Sequence, residues 1–164
     1  MDTALLLSNI SKHISLTTEE TDRFISLLNS KSLEAGEFLL REGDICKHET
    51  FIAKGCLKTY YVDENGDEHI VDFLIEEWWA DDLFSFFTGT ASQSNIKAIE
   101  NTEVLQISKN NLELLYQQIP KFERFFRILF QNAYISQKDI SSYLGVTPQF
   151  LSTLKKKMRG VNLH

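Results

Sequence analysis

Two cysteines, Cys46 and Cys56, are too few for a disulfide framework and cannot build a zinc site unaided. Long apolar runs are missing too. The longest, residues 4–7, falls far short of the ~20 residues a membrane span needs. Met1-Asp2 lacks the basic start of a secretory signal, so a soluble cytoplasmic protein with no membrane partner is expected. There is no nucleophile–base motif, metal-ligand spacing or phosphate-binding glycine loop, so no catalytic or metal residues are assigned and an enzyme is not expected. Asp81 and Asp82 are adjacent. On a strand they would point to opposite faces, and in a loop or helix start they would cap the segment. An overall basic excess is also lacking, since the net charge is -6.

What is present is an ordinary globular composition of 164 residues, 43% apolar and 24% charged. That excludes disordered, collagen-like and coiled-coil chains. The charge is uneven. Residues 135–164 hold five Lys/Arg against one Asp, a net +4, while residues 1–134 hold 12 Lys/Arg and 22 Asp/Glu, a net -10. A basic end on an acidic body points to two functions in one chain, the basic end being the part suited to phosphates.

The N-terminus predicts two short helices. Leu6, Ile10, His13 and Ile14 share one face, with His13 as a packing residue because no second histidine lies at i+4. Thr17 and Glu20 form a capping-box pattern ahead of a second helix that buries Phe24, Leu27 and Leu28. From about residue 31 the period changes to two, and Gly36, Gly43, Gly55 and Gly66 punctuate short β-rich segments. Leu57, Thr59 and Tyr61 alternate with Lys58, Tyr60 and Val62. Asn65-Gly66 predicts a two-residue hairpin into a return strand from His69 to Ile75. Further strands are expected at Asn95–Ala98 and Glu103–Ile107, completing an antiparallel sandwich or barrel. Helix returns at Lys109–Ile119. After Pro120 a second helix starts at Lys121, where Phe122, Phe125, Phe126, Leu129, Phe130 and Ala133 form an apolar stripe. That stripe suits either core packing or a subunit interface, on different faces.

Residues 137–157 hold the most specific local pattern. Gln137–Leu144 reads as a short helix, Gly145-Val146-Thr147 as a tight turn and Pro148–Lys157 as a second helix, with Thr147 as cap and Pro148 at its first position. Ile140, Leu144, Val146, Leu151 and Leu154 take the apolar positions, Ser141 the small one and Gly145 the turn. This is the helix-turn-helix pattern, in which the start of the second helix faces base edges in the major groove. The expected DNA-binding residues are Thr147, Pro148, Gln149, Ser152 and Thr153 at the bases, with Lys155 and Lys156 drawing phosphates.

With a β unit before it and this motif after it, the chain resembles the cyclic-AMP receptor protein/Fnr (Crp/Fnr) family of transcription regulators. The resemblance is carried by residues 33–74, with their glycine spacing, Phe51-Ile52 before Gly55 and the Asn65-Gly66 turn, and by residues 136–157. It implies an α+β fold: an antiparallel β-roll like the cyclic-nucleotide-binding domain (a double-stranded β-helix or jelly roll), flanking helices, a dimerisation helix and a C-terminal helix-turn-helix. The implied units are a sensor at 1–120, a dimerisation helix at 121–134 and a DNA-binding segment at 135–164. The implied partners are double-stranded DNA, a second copy of the chain and a small-molecule effector. The aromatic stripe would then be the dimer interface.

Two departures qualify the resemblance. Counting back from Glu103–Ser108, the family's cyclic-nucleotide cassette falls on Asp81, Asp82, Leu83, Ser92 and Gln93, with Asp82 at the acidic position and Ser92 where an arginine holds the cyclic phosphate. No arginine lies between Arg41 and Arg124, so a cyclic nucleotide is disfavoured as cofactor and no other is assigned. The space around Asp82, Ser92 and Gln93 is expected to be partly filled by Phe84, Phe86 or Phe87. In addition, about 30 residues expected from the resemblance are absent near Tyr134-Ile135. Either the protein carries an internal deletion there, or a segment has dropped out between intact flanks, which is the preferred explanation because both motifs are whole. A separate function class stays open: a ligand-binding roll with a vestigial DNA-binding end, favoured by Thr153 standing where many relatives carry a DNA-contacting arginine. Two cysteines ten residues apart match no iron–sulfur cluster spacing.

Overall fold

The computed structural model describes residues 1–141, with side chains described as far as Ala133. The chain begins with α1 (Ala4–Ser11) and α2 (Thr18–Ser26). Leu6 and Ile10 are buried on α1, as the helical spacing requires, while His13 and Ile14, expected on the same face, lie past the end of the helix, with Ile14 still buried. The capping box closes in both directions: the Glu20 N–H donates to Thr17 Oγ1 at 3.2 Å, and the Thr17 N–H donates to Glu20 Oε2 at 2.9 Å. Lys121 Nζ reaches the same Glu20 carboxylate at 2.7 Å, and with that hydrogen bond first among the causes its pKa lies below the usual value. The expectation that Leu28 belongs to the second helix is corrected. The helix ends at Ser26 and Leu28 opens the first strand, where it is buried.

Seven strands follow: β1 (Leu28–Leu33), β2 (Phe38–Leu40), β3 (His48–Lys54), β4 (Cys56–Val62), β5 (Glu68–Ile75), β6 (Asn95–Ala98) and β7 (Thr102–Ser108). They form two antiparallel sheets, one ordered β1-β7-β3 and the other β2-β6-β4-β5. The alternation in β4 is as read from the sequence, since Lys58 Nζ lies 4.6 Å from the ring centre of Tyr60, two residues on. The hairpin differs. Five residues separate β4 and β5, and Gly66 alone in the loop takes positive φ, at +88°. The Asp63 carboxylate accepts from the N–H groups of Asn65 and Asp67, and the Gly66 N–H donates to the Asp63 carbonyl at 3.0 Å. This Asp-centred turn places Glu64 and Asn65 at its middle with ordinary negative φ, so the two-residue turn does not form.

The helices α4 (Lys109–Gln118) and α5 (Lys121–Ser141) close the described fold. Expected to end near Tyr134, α5 instead runs unbroken through that join to Ser141, 21 residues or about 31 Å. Its phenylalanines tie the helices to the roll. Phe122 packs on Phe24 of α2 (ring centres 4.8 Å apart), Phe125 on His13 (6.0 Å), and Phe126 on Tyr116 of α4 (5.9 Å) and Trp79 (5.4 Å). Trp79 in turn meets Phe51 of β3 at 5.4 Å. Phe122, Phe125, Phe126 and Leu129 are therefore buried within their own chain, whereas Phe130 and Ala133 are only half-buried. The interface expectation for the first four meets this fact: their area is already covered.

Candidate functional site

The segment between β5 and β6 carries the residues expected to hold a ligand. Its start is stitched to β3. The Ile52 N–H donates to the Trp78 carbonyl at 2.9 Å, and the Ala80 N–H donates to the Thr50 carbonyl at 2.7 Å. Asp82 then caps the short helix α3 (Leu83–Thr88), accepting from the Ser85 N–H at 3.0 Å. This is the capping role weighed for the acidic pair. The other Asp82 oxygen accepts from the Ser92 hydroxyl at 2.6 Å. Ser92 is buried and clamps the β2–β3 connection, its N–H donating to the Asp44 carbonyl and its carbonyl accepting from the Gly43 N–H, both at 2.8 Å. The structure therefore brings Asp82 and Ser92 together and leaves Gln93 exposed and Leu83 half-buried at the start of α3.

Where a cyclic phosphate would need a cation, the chain places a serine bonded to a carboxylate. Arg41 and Lys97 both lie over the Phe38 ring, at 3.9 and 5.0 Å from its centre, and Lys109 Nζ is held by the Phe86 and Phe87 carbonyls at 2.9 and 3.2 Å. Of the three phenylalanines named for partial filling of this space, a single one turns inward. Only Phe86 is buried. Phe84 and Phe87 are 71% and 53% exposed, because α3 presents a single face to the roll.

Asp81 belongs to a different constellation. It lies against Glu49 of β3, a carboxyl with no exposed surface. The two Glu49 oxygens find no N–H or O–H donor among the described residues. Two facing carboxyls satisfy each other only when one keeps its proton, and burial assigns that proton to Glu49, whose pKa is driven well above the ordinary range by loss of water and by Asp81. Asp81 itself is pushed up to about 6, chiefly by burial, with the Glu49 hydrogen bond acting against the rise. Burial likewise raises the Cys46 thiol. Sequence reasoning missed Glu49 because in its strand it reads as one more polar residue of an alternating pattern, and Asp81 lies 32 positions away.

Asp81 also lines a cavity of about 360 Å3 between the two sheets. Sheet β1-β7-β3 contributes Lys31, His48, Thr50 and Gln106, and the other sheet contributes Leu39, Leu40 and Ile96. The β2–β3 connection supplies Asp44, Ile45, Cys46 and Lys47. Gln106 Nε2 donates to Thr50 Oγ1 at 3.0 Å, which leaves the Gln106 carbonyl oxygen and the Thr50 hydroxyl proton for another partner. The His48 pKa is lowered, first by burial and then by Lys31 and Lys47, so the imidazole stays neutral at physiological pH.

The roll agrees with comparison to known proteins. Residues 30–119, more than half of the chain, match the cyclic nucleotide-binding domain. The chain belongs to that family. Within the family it lies on the Crp/Fnr side that its motifs indicate. It is 31% identical over 112 residues to the transcriptional activator protein anr of Pseudomonas aeruginosa, covering 68% of this chain and 45% of that protein. The chain spans about half the length of the curated relatives it matches. Those relatives are regulators of transcription or electron transport by name, not enzymes. Among solved structures, it is similar to a cyclic nucleotide-binding domain from Methylobacillus flagellatus, with a TM-score of 0.71 and 17% identity, covering 82% of this chain and 79% of that one. It is also similar to the sensor domain of the transcriptional regulator DNR from Pseudomonas aeruginosa, with a TM-score of 0.65 and 16% identity, covering 84% and 90%. These two likenesses speak to the fold alone. Among the described residues no helix is long and apolar enough to cross a membrane.

The DNA-binding residues read from the sequence, Thr147 to Lys156, lie outside the described residues.

Proposed function

We propose that the chain is a transcription regulator of the Crp/Fnr type. In this reading the β-roll at 1–120 is a sensor, α5 pairs two copies, and residues 135–164 bind DNA through the helix-turn-helix. The observation that carries the reading is kinship with named regulators across the roll, combined with the helix-turn-helix pattern on a +4 segment. Such a regulator works in the cytoplasm, beside the DNA. For pairing, α5 keeps Phe130 and Ala133 half-buried. Phe130 borders an open groove of about 1220 Å3 that also touches Phe87, Tyr116, Arg124 and Arg127. Aromatic and arginine side chains together favour a protein interface.

The sensor reading disfavours a cyclic nucleotide held by an arginine, with Ser92 at the place where the resemblance puts that arginine and hydrogen-bonded to Asp82 as support. The test is a gel-shift series on DNA from the protein's own genomic neighbourhood at low salt. Binding to a pseudo-palindromic site that Gln149→Ala weakens by tenfold or more supports the proposal. No binding at low salt overturns it. The second reading, a ligand-binding roll with a vestigial DNA-binding end, gains if a ligand is bound while DNA affinity ignores both Gln149→Ala and Thr153→Ala.

A further inference from the structure

Residues 76–82 run from β5 to α3 as a strap laid along β3. Near its start Glu77 has φ +70°, the one non-glycine with positive φ among the described residues. That backbone is strained for an L side chain and persists because its surroundings hold it. The Glu77 N–H donates to the Ile52 carbonyl at 3.0 Å, and its carboxylate pairs with Lys12 at 3.3 Å. In the middle of the strap, Trp79 meets Phe51 of β3 and also Phe125 and Phe126 of α5, at 6.1 and 5.4 Å. The buried Trp79 ring N–H finds no acceptor among the described residues, so packing holds the ring. At the far end Asp81 meets Glu49 of β3.

The groups facing this pair are acidic or neutral. Glu49 faces Asp81, the Cys46 thiol of the β2–β3 connection and Tyr116 of α4. Asp81 faces Glu49, Cys46 and its neighbour Asp82. Burial first, and nearby carboxylates second, raise the pKa of Tyr116 and keep its phenol neutral. No cation acts on either carboxyl among the described residues. One proton between the two carboxyls makes an O–H···O bond that ties the strap to β3. Without it, two negative charges face each other in a buried place, where repulsion is strong. Asp81 is half-buried and borders the inter-sheet cavity, so the pair can exchange its proton with solvent.

We propose that the roll senses protons, with the Glu49–Asp81 pair as a latch that holds the strap, and Trp79 with it, against β3 and α5. The latch is closed while the pair keeps its shared proton and opens when that proton leaves. Burial raises both carboxyls, so the native state holds these protons to higher pH than the unfolded chain. The latch is therefore closed at low pH and opens as pH rises. The first proton, lost with Asp81 at about pH 6, leaves the shared one in place. Loss of the last, from Glu49, opens the latch. The proposal deepens the sensor reading by naming its signal, and it is read on the roll itself, apart from DNA binding.

The experiment is tryptophan fluorescence of the full chain, titrated from pH 5 to pH 10. Trp78 and Trp79, the two tryptophans of the chain, both lie in the strap, and Trp78→Phe leaves Trp79 alone to report. A reversible red shift is expected above pH 6, with far-UV circular dichroism unchanged. The Ile52 and Ala80 amides, which donate to the Trp78 and Thr50 carbonyls, should lose about tenfold of their hydrogen-exchange protection over the same range. Amides of β4 and β6 should keep theirs. Glu49→Gln and Asp81→Asn should each abolish the shift, because an amide then donates to the remaining carboxylate at every pH. If neither variant folds, amide exchange of the unaltered chain decides. Asp72→Asn removes a buried carboxyl outside the latch, raised to about 7, and should leave the shift intact. A flat emission profile overturns the proposal. So does a shift that survives both latch variants or vanishes in Asp72→Asn, or protection lost everywhere at once. A working latch in a chain that binds no DNA sinks the regulator reading alone, and DNA binding with a flat profile sinks the latch alone.

Discussion

At Gly55 the chain turns from β3 into β4 with φ at +100°, and a Cβ there would lie 2.7 Å from the Asn101 carbonyl oxygen and 2.8 Å from the Thr102 Cα. Both neighbours are backbone and cannot swing away. Gly55→Ala should therefore cost at least about 3 kcal/mol, combining left-handed strain with overpacking. Gly43→Ala, at φ +92° in open space, should cost only about 1–2 kcal/mol of strain. Urea unfolding of the two variants checks the contrast. Asp72, on the edge strand β5, makes a different demand. It is buried, one oxygen lacks a partner, and loss of water raises its pKa to about 7 from 3.8, against the pull of the Phe73 N–H. The native state thus keeps this proton to higher pH than the unfolded chain. Below about pH 4 both states hold it and stability is unaffected. Between about 4 and 7 only the native state holds it, so stability falls as pH rises, and above about 7 the full loss remains. Asp72→Asn should stabilise by roughly 2–4 kcal/mol at pH 8 and by almost nothing at pH 4, measured by denaturant unfolding at both. The sequence shows Asp72 as an ordinary member of an alternating strand. Its cost appears only when the fold buries it.

Among the elements, α5 has the plainest pattern in the sequence and the least legible packing. Its stripe at helical spacing is plain in the sequence, but spacing does not say what covers it. The cover comes from His13, Phe24, Phe51 by way of Trp79, and Tyr116, drawn from α2, β3, α4 and two connections far apart in the chain. Phe126→Ala should cost about 3–5 kcal/mol of monomer stability by opening a cavity among these rings. Phe130→Ala should cost less than about 2 kcal/mol, and its larger effect should be on self-association, read by sedimentation at several concentrations. The strands at Asn95–Ala98 and Thr102–Ser108 and the Thr17 capping box were legible because their signals are local: alternation, or two side chains three residues apart. The hairpin departs from its local sequence signal because the decisive group is the Asp63 carboxylate, outside the Asn65-Gly66 pair. The Glu49–Asp81 pair was illegible for a similar reason, since its partners come from β3 and from a segment laid across it.

For the whole molecule, the charge division is the feature most open to measurement. An acidic body of -10 attached to a +4 end should hold nucleic acid only through that end, and at a long-range electrostatic cost. DNA affinity should fall steeply with salt, and replacing Lys155 and Lys156 with glutamine should lower the slope of log affinity against log salt by about 1 for each lysine that meets a phosphate. Gln149→Ala, by contrast, should leave the slope unchanged and relax sequence preference.

The unbroken α5 has a mechanical consequence. The phenylalanine cluster from Phe122 to Phe126 acts as a fulcrum, and the helix continues 12 residues past Leu129, about 18 Å, without a proline or glycine to absorb bending. A rigid lever of that length converts a tilt of about 10° at its base into a displacement of about 3 Å at its end. A rearrangement around Trp79 too small to open the core would suffice to move it.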